Sequence, residues 1–131
     1  MAAHNDNFPW LSYYENYDFF ESRMHEHTKV SSCKKIDVGL YDITLLNKDV
    51  LRVFICECYS FSLAEYEESC QKYGRLDAIV ISSNWCGYSQ ALKENCREDR
   101  VGIFDIREFM AAINKKQFWN YMTESERKRL K

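Results

Sequence analysis

The sequence has one proline, only four glycines and no long apolar run. Disordered and low-complexity chains are rich in proline, glycine and polar residues, whereas this chain is 46% hydrophobic and 29% charged, as folded globular proteins are. No segment approaches the roughly 18 consecutive apolar residues that span a bilayer. The N-terminus also lacks a basic region followed by an apolar run, which a secretory signal requires. We therefore expect a cytoplasmic protein without a membrane segment.

A strong excess of one charge is also missing, since the sequence has 18 lysines and arginines and 20 acidic residues, which gives a net charge of −2. Such a chain is not drawn as a whole to nucleic acid or to anionic membranes, although a local basic patch is compatible with it. The length of 131 residues predicts a single domain over 1–131. Within it, residues 1–10 are expected to form a loose leader and residues 115–131 a helical tail.

Several signature motifs are absent. There is no GxGxxG and no GxxxxGK[ST], which argues against the nucleotide-binding enzymes that use them, and no HxE…PCxxC of zinc deaminases. The six cysteines show neither CxxC nor zinc-finger spacing, which favours small buried hydrophobes in a reducing compartment over disulfides or metal ligands. His25 and His27 lie two residues apart, so on a helix they do not share a face.

Helix starts are the clearest local signal. Four capping boxes, in which Ser, Thr or Asp precedes Glu by three residues, mark the N-termini of helices. They are Ser12 with Glu15, Ser62 with Glu65, Asp105 with Glu108, and Thr123 with Glu126. The first opens an amphipathic helix that reaches to about His27.

Strand patterns occupy the segments between these helices. "KVSSCKKIDVGL", "YDITLLN" and "VLRVFICECYS" predict antiparallel strands, with a hairpin through Lys48 and Asp49. "LDAIVISS" is a continuous apolar run, typical of a strand covered on both faces. A short helix over 88–97 and a short strand, "RVGIF", lead to the last helices. We predict an α/β fold, a three-layer α/β/α sandwich with a mixed central sheet whose final part is parallel.

Two acids lie on neighbouring strands of this predicted sheet. A hairpin turn at Lys48 and Asp49 places Glu57 opposite residue 40, which makes Asp42 its diagonal neighbour. Two converging carboxylates suit Mg²⁺ or Mn²⁺. The plain alternative is a solvated Asp42, with Glu57 paired to a nearby lysine or arginine.

The run "IDVGLYDITLLNKDVLRVFICECYSFS", followed by "YGRLDAIVISS" and "RVGIFDIREFMAAI", resembles the PD-(D/E)xK nuclease superfamily and its Mrr-like branch of restriction endonucleases. The resemblance implies a restriction-endonuclease-like fold and metal-dependent hydrolysis of DNA phosphodiester bonds. It implies that Asp42 is the metal-binding aspartate and that Glu57 is the acid of the (E/Q)xK motif. Glu21 matches the acid that some members direct from the first helix toward the metal.

The departure from the family is Tyr59, which stands where the motif has lysine. A neutral phenol supplies no cation to stabilise the charge of the transition state. One hypothesis is that the lysine function has moved to Lys72, with Lys34, Lys35 and Lys48 as further candidates. The other is that catalysis is lost and the fold binds nucleic acid or protein.

The C-terminal part carries an aromatic cluster followed by the basic stretch "ERKRLK". The cluster consists of Phe118, Trp119, Tyr121 and Met122. It either caps the core or presents a surface for a protein partner or for a homo-oligomer.

Overall fold

The computed structural model describes residues 8–12, 14–58, 60–82 and 87–129, apart from the side chains of 124 and 129. The helices are α1 (Tyr14–Glu26), α2 (Leu63–Tyr73), α3 (Gln90–Glu98), α4 (Ile106–Ala112) and α5 (Glu124–Arg129), with a 3-10 turn at Phe118–Asn120. The strands are β1 (Val30–Asp37), β2 (Leu40–Leu45), β3 (Val50–Cys56), β4 (Ser60–Phe61), β5 (Ala78–Ile81), β6 (Gly87–Tyr88) and β7 (Gly102–Asp105). None of the helices within these ranges is long and apolar enough to cross a membrane.

Five strands form one mixed sheet in the order β1-β2-β3-β5-β7. Strand β2 pairs antiparallel with both β1 and β3, whereas β3, β5 and β7 run parallel to one another. This confirms the predicted mixed α/β class with an antiparallel start and a parallel end. Strands β4 and β6 form a separate parallel pair that the sequence pattern did not predict.

The capping signals define three of the helix starts as expected. The Ser62–Glu65 box opens α2, the Asp105–Glu108 box opens α4, and Thr123 and Glu126 exchange the reciprocal bonds of a third box at the start of α5. Since each box joins residues three apart, it forms without help from the rest of the fold. Ser12 has a different part, because its hydroxyl contacts Ser82 and Asn16 in the tertiary structure.

Alternate residues of the strands face two different core clusters. Val53 and Ile55 of β3 share a cluster with residues of α1 and α4. Phe54 and Cys56, on the other face, share a cluster with residues of α3, and side chains of α2 pack against it. The carboxyl ends of the parallel strands therefore emerge between helical elements.

Residues 8–10 differ from the predicted loose leader. Trp10 is only 3% exposed, and the ring of Phe8 stacks on Phe54 with the centroids 5.7 Å apart. Large aromatic side chains gain much by burial, which holds this stretch against the sheet. Residues 1–7 lie outside the part of the chain that the structure describes.

The C-terminal aromatic cluster contributes to the core. Phe118 is buried in the same cluster as α1, and Trp119 and Tyr121 pack against it. The ring of Tyr121 lies 6.3 Å from that of Phe104, at the end of the sheet. Of the two interpretations, core capping is what these contacts show, and the partner surface stays a prediction.

Candidate functional site

The register of the β2–β3 hairpin differs from the predicted one. Leu40 pairs with Phe54, not with Glu57, and Asp42 pairs with Arg52. The reason is the turn: β2 ends at Leu45, and the loop between Leu45 and Val50 shifts the centre of the hairpin toward the N-terminus. The predicted pairing of residue 40 with Glu57 is therefore wrong.

Asp42 is engaged by its cross-strand partner. Nε of Arg52 donates to Oδ1 of Asp42 at 2.9 Å, and Nη2 donates to Oδ2 at 3.0 Å. The hydrogen bond to Asp42 raises the pKa of the Arg52 guanidinium. Both carboxylate oxygens are thus bound by one planar guanidinium, the preferred geometry for this pair of side chains.

Asp42 and Glu57 lie on opposite faces of the sheet. Tyr41 is buried in the core cluster that contains residues of α1, so the alternation of the strand places Asp42 on the other face. Glu57 follows β3 and receives a hydrogen bond from Asn16 of α1. The structure does not bring the two predicted metal ligands together.

Glu57 instead belongs to a polar cluster at the carboxyl ends of β3 and β5. Its Oε1 is 3.4 Å from Oγ of Ser12 and 3.3 Å from Nδ2 of Asn16. The Ser12 hydroxyl lies 2.6 Å from that of Ser82, the residue directly after β5. Ser82 also contacts the carbonyl oxygen of Cys56 at 3.2 Å. In open α/β sheets, the carboxyl ends of parallel strands are where ligands bind.

The second oxygen of Glu57 is the unusual feature of this cluster. Glu57 is 2% exposed, and its Oε2 has no hydrogen-bond partner among the described residues. Neither does any cationic side chain of the described ranges form an ion pair with it. A buried carboxyl oxygen without a partner is energetically unfavourable, so this atom is a candidate ligand-binding position.

Glu21, the predicted helical acid, binds a phenol. Its Oε2 accepts a 2.6 Å hydrogen bond from the hydroxyl of Tyr41. Burial raises the pKa of Tyr41, and the bond to Glu21 raises it further. Burial also raises the pKa of Tyr17, to which the charge of Glu57 contributes. On the face where Glu57 lies, β2 therefore presents a neutral tyrosine instead of an acid.

Lys72 lies far from this cluster along α2. Helix α2 starts directly after β4, which follows the carboxyl end of β3, and leads to the start of β5. Lys72 is an exposed residue in its last turn. Nine residues of helical rise, roughly 14 Å, separate it from Leu63. Tyr59 lies outside the described residues. The catalytic role of Lys72 stays a prediction that this arrangement does not favour.

The two-carboxylate metal site that the resemblance implies does not fit these residues. Mg²⁺ and Mn²⁺ need hard oxygen ligands arranged around one point. Asp42 is bound to Arg52 on one face, while Glu57 lies on the other among hydroxyl and amide groups. Within the described ranges, no group of three or more His, Cys, Asp or Glu residues is placed to hold a metal ion.

A second polar cluster was not predicted. Lys93 is 1% exposed, and its Nζ lies 3.1 Å from both Oε1 of Glu126 and the hydroxyl of Tyr88. Nη2 of Arg97 is 2.7 Å from Oε2 of Glu126. These contacts fasten α5 onto α3. In the sequence, Glu126 is predicted only as a capping residue, and no pattern of a few residues joins it to Lys93 or Arg97.

No protein-family model matches this chain, and neither curated proteins nor solved structures give a match.

Proposed function

We propose that this chain has the restriction-endonuclease-like fold, as a three-layer α/β/α sandwich, and that it is a catalytically inactive member that binds nucleic acid. The order of the sheet supports the fold: an antiparallel β1-β2-β3 meander continues through α2 into parallel β5 and β7. The two core clusters, one with α1 and α4 and the other with α3, support the layering.

The observation that carries the inactive assignment is the bidentate pair of Asp42 with Arg52. It occupies the acid that the nuclease interpretation needs and holds it on the face opposite Glu57. Tyr41, which faces the Glu57 side, donates to Glu21. In the part of the site that the structure describes, one acid lies among neutral neighbours, without the converging charges by which nucleases of this type stabilise the developing phosphate charge.

The unpartnered Oε2 of Glu57 favours a second candidate function, a metal-dependent hydrolase centred on this one carboxylate. A divalent cation bound there would supply an activated water. Among the described residues of the polar cluster Glu57 is the only acid, so the other ligands of that cation would be hydroxyl or carbonyl oxygens.

One experiment separates the two functions. Labelled single-stranded and duplex DNA and RNA are incubated with the wild type in Mg²⁺ or Mn²⁺, and binding is followed by fluorescence anisotropy and cleavage by gel electrophoresis. We expect binding without cleavage. Cleavage that requires the metal and disappears in Glu57→Ala, but persists in the control Asp42→Ala, establishes the hydrolase instead. A wild type that binds no nucleic acid overturns the proposal.

A further inference from the structure

A cleft of about 540 Å³ lies at the end of the sheet that is remote from Glu57. One wall is the hairpin loop between β2 and β3, and the other is the segment 113–119 that follows α4. Its floor includes Asp77, just before β5, and Arg100, just before β7. It therefore opens at the amino ends of the parallel strands, whereas the Glu57 cluster lies at their carboxyl ends.

Positive side chains line this cleft from four separate parts of the chain. They are Lys29, Arg75, Arg100, Lys115 and Lys116, all of them exposed. Within the described ranges, the only ion pair that any of these five forms is a 3.9 Å contact between Arg75 and Asp77. Most of their charge is therefore available to an incoming anion.

Two acids line the same cleft, and both are engaged by neighbours. Oδ2 of Asp77 accepts the backbone N–H of Arg52 at 2.8 Å, and Oδ2 of Asp49 accepts from Asn47 at 3.1 Å. Five cations against two acids leave an excess of three positive charges in the cleft, in a chain whose net charge is −2. Such an uneven charge distribution focuses a positive potential in the cleft.

An aromatic ring stands beside these charges. Trp119 lines the cleft half-buried, and the guanidinium of Arg100 lies 5.7 Å from its ring centroid. Leu46 and Val50, which are 62% and 53% exposed, add apolar surface on the hairpin wall. Planar apolar surface next to cations is what a stacked nucleobase and its phosphates require.

We propose that this cleft binds a single strand of nucleic acid, with the phosphates held by the lysines and arginines and a base stacked on Trp119. The inference rests on the proposed function and names its binding surface. The cations of the cleft come from four separate segments of the chain. A duplex conceals its base faces, and the carboxylate side chains of an acidic peptide offer no planar ring for Trp119, so the single strand fits best.

The test compares two charge reversals of equal size. Lys115→Glu/Lys116→Glu reverses two cations of the cleft, and Lys34→Glu/Lys35→Glu reverses two exposed lysines of β1 that do not line it. Binding of labelled oligo(dT) is measured at several salt concentrations, beside a duplex and with polyglutamate as competitor. We expect the cleft variant to weaken binding about tenfold or more and to reduce the salt slope by about 1.4, since two contacts of about 0.7 each are lost. The β1 variant should change affinity little.

Trp119 gives an independent readout. Trp119→Leu should weaken binding about fivefold or more, and Trp119→Phe should retain most of it, because a ring remains to stack. Thermal denaturation checks that both Trp119 variants fold. If Trp119→Leu does not fold, the comparison of the two double lysine variants still tests the proposal.

The outcomes separate the inference from the function on which it rests. If the wild type and both double lysine variants bind nucleic acid equally well, the cleft is not the binding surface, although the nucleic-acid function stands. Equal affinity for duplex, or displacement by polyglutamate as efficient as by unlabelled oligo(dT), overturns the single-strand assignment. Absence of binding to all nucleic acids overturns both proposals.

Discussion

Asp42 and Arg52 face each other across β2 and β3 and are joined by two hydrogen bonds of 2.9 and 3.0 Å. This pair shows on which face of the sheet Asp42 lies and which side chain binds it. It gives Asp42 a structural partner and points it away from Glu57, so the acid that sequence spacing suggested for a metal contributes to the antiparallel part of the sheet.

A double-mutant cycle measures the strength of that pair. Asp42→Ala, Arg52→Ala and the double variant should give a coupling of about 1 kcal/mol or less in urea denaturation, because both side chains are partly exposed to solvent. The same three variants should bind nucleic acid as the wild type does. If Asp42→Ala alone lost nucleic-acid binding, Asp42 would take part in binding in addition to its ion pair with Arg52.

Glu57→Gln tests the unpartnered carboxyl oxygen. Because no cationic side chain of the described residues pairs with this buried carboxylate, its replacement by a neutral amide should raise the free energy of unfolding by about 1 kcal/mol near neutral pH. The measurement is urea denaturation with a chelator present. Glu21→Gln is the control, since Glu21 already accepts from Tyr41 and gains nothing from neutralisation.

A loss of stability in Glu57→Gln, together with a wild type stabilised by Mg²⁺ or Mn²⁺, would contradict this prediction. It would indicate that a bound cation compensates Glu57, and it would favour the hydrolase over the inactive module.

The pH dependence of stability should reveal Glu126. Burial alone raises the pKa of this carboxyl, but hydrogen bonds from Arg97, Thr123 and Gln90 and the charge of Lys93 outweigh it and lower the pKa from 4.5 to about 2. A depressed pKa in the folded state adds stability above the unfolded value, and this stability is lost as the pH falls through the folded value. The contribution is on the order of 3 kcal/mol.

Urea denaturation of wild type and Glu126→Gln should therefore show a stability difference that is largest above about pH 5 and shrinks as the pH falls toward 2. Glu67→Gln, at an exposed position on α2, is the matched control and should show little difference at any pH. A difference between wild type and Glu126→Gln that does not change with pH would refute the role of the ion pairs.

Gly39 lies in the β1–β2 turn, and Gly74, which ends α2, is its matched control. Both have a positive φ, of 77° and 78°. A Cβ at Gly39 would lie 2.5 Å from the carbonyl oxygen of Ile55, whereas at Gly74 it would meet nothing within 4 Å. Gly74→Ala should lower the free energy of unfolding by about 1–3 kcal/mol from backbone strain alone, because its ψ of −150° lies in a region that essentially only glycine adopts. Gly39→Ala should lower it by clearly more, because the contact with Ile55 adds to the strain of its positive φ. Equal losses in chemical denaturation would show that the turn yields and removes the contact.

The sequence by itself determined the local elements of this protein. Capping boxes at Ser62 and Asp105 act over three residues, and the apolar run at Ala78–Ile81 reflects burial on both faces. Both features can therefore be predicted from the sequence without knowledge of the fold. The mixed class of the sheet followed from the change between alternating and continuous apolar patterns.

Tertiary structure alone decided the site. The loop between Leu45 and Val50 set the hairpin register, and the alternation of β2 then put Asp42 and Glu57 on opposite faces. The polar cluster that contains Glu57 joins residues from positions as distant as 12 and 82. Local patterns reach only three or four residues, whereas a site is made by contacts between distant segments, and these depend on turn geometry and on packing that no short stretch of sequence contains.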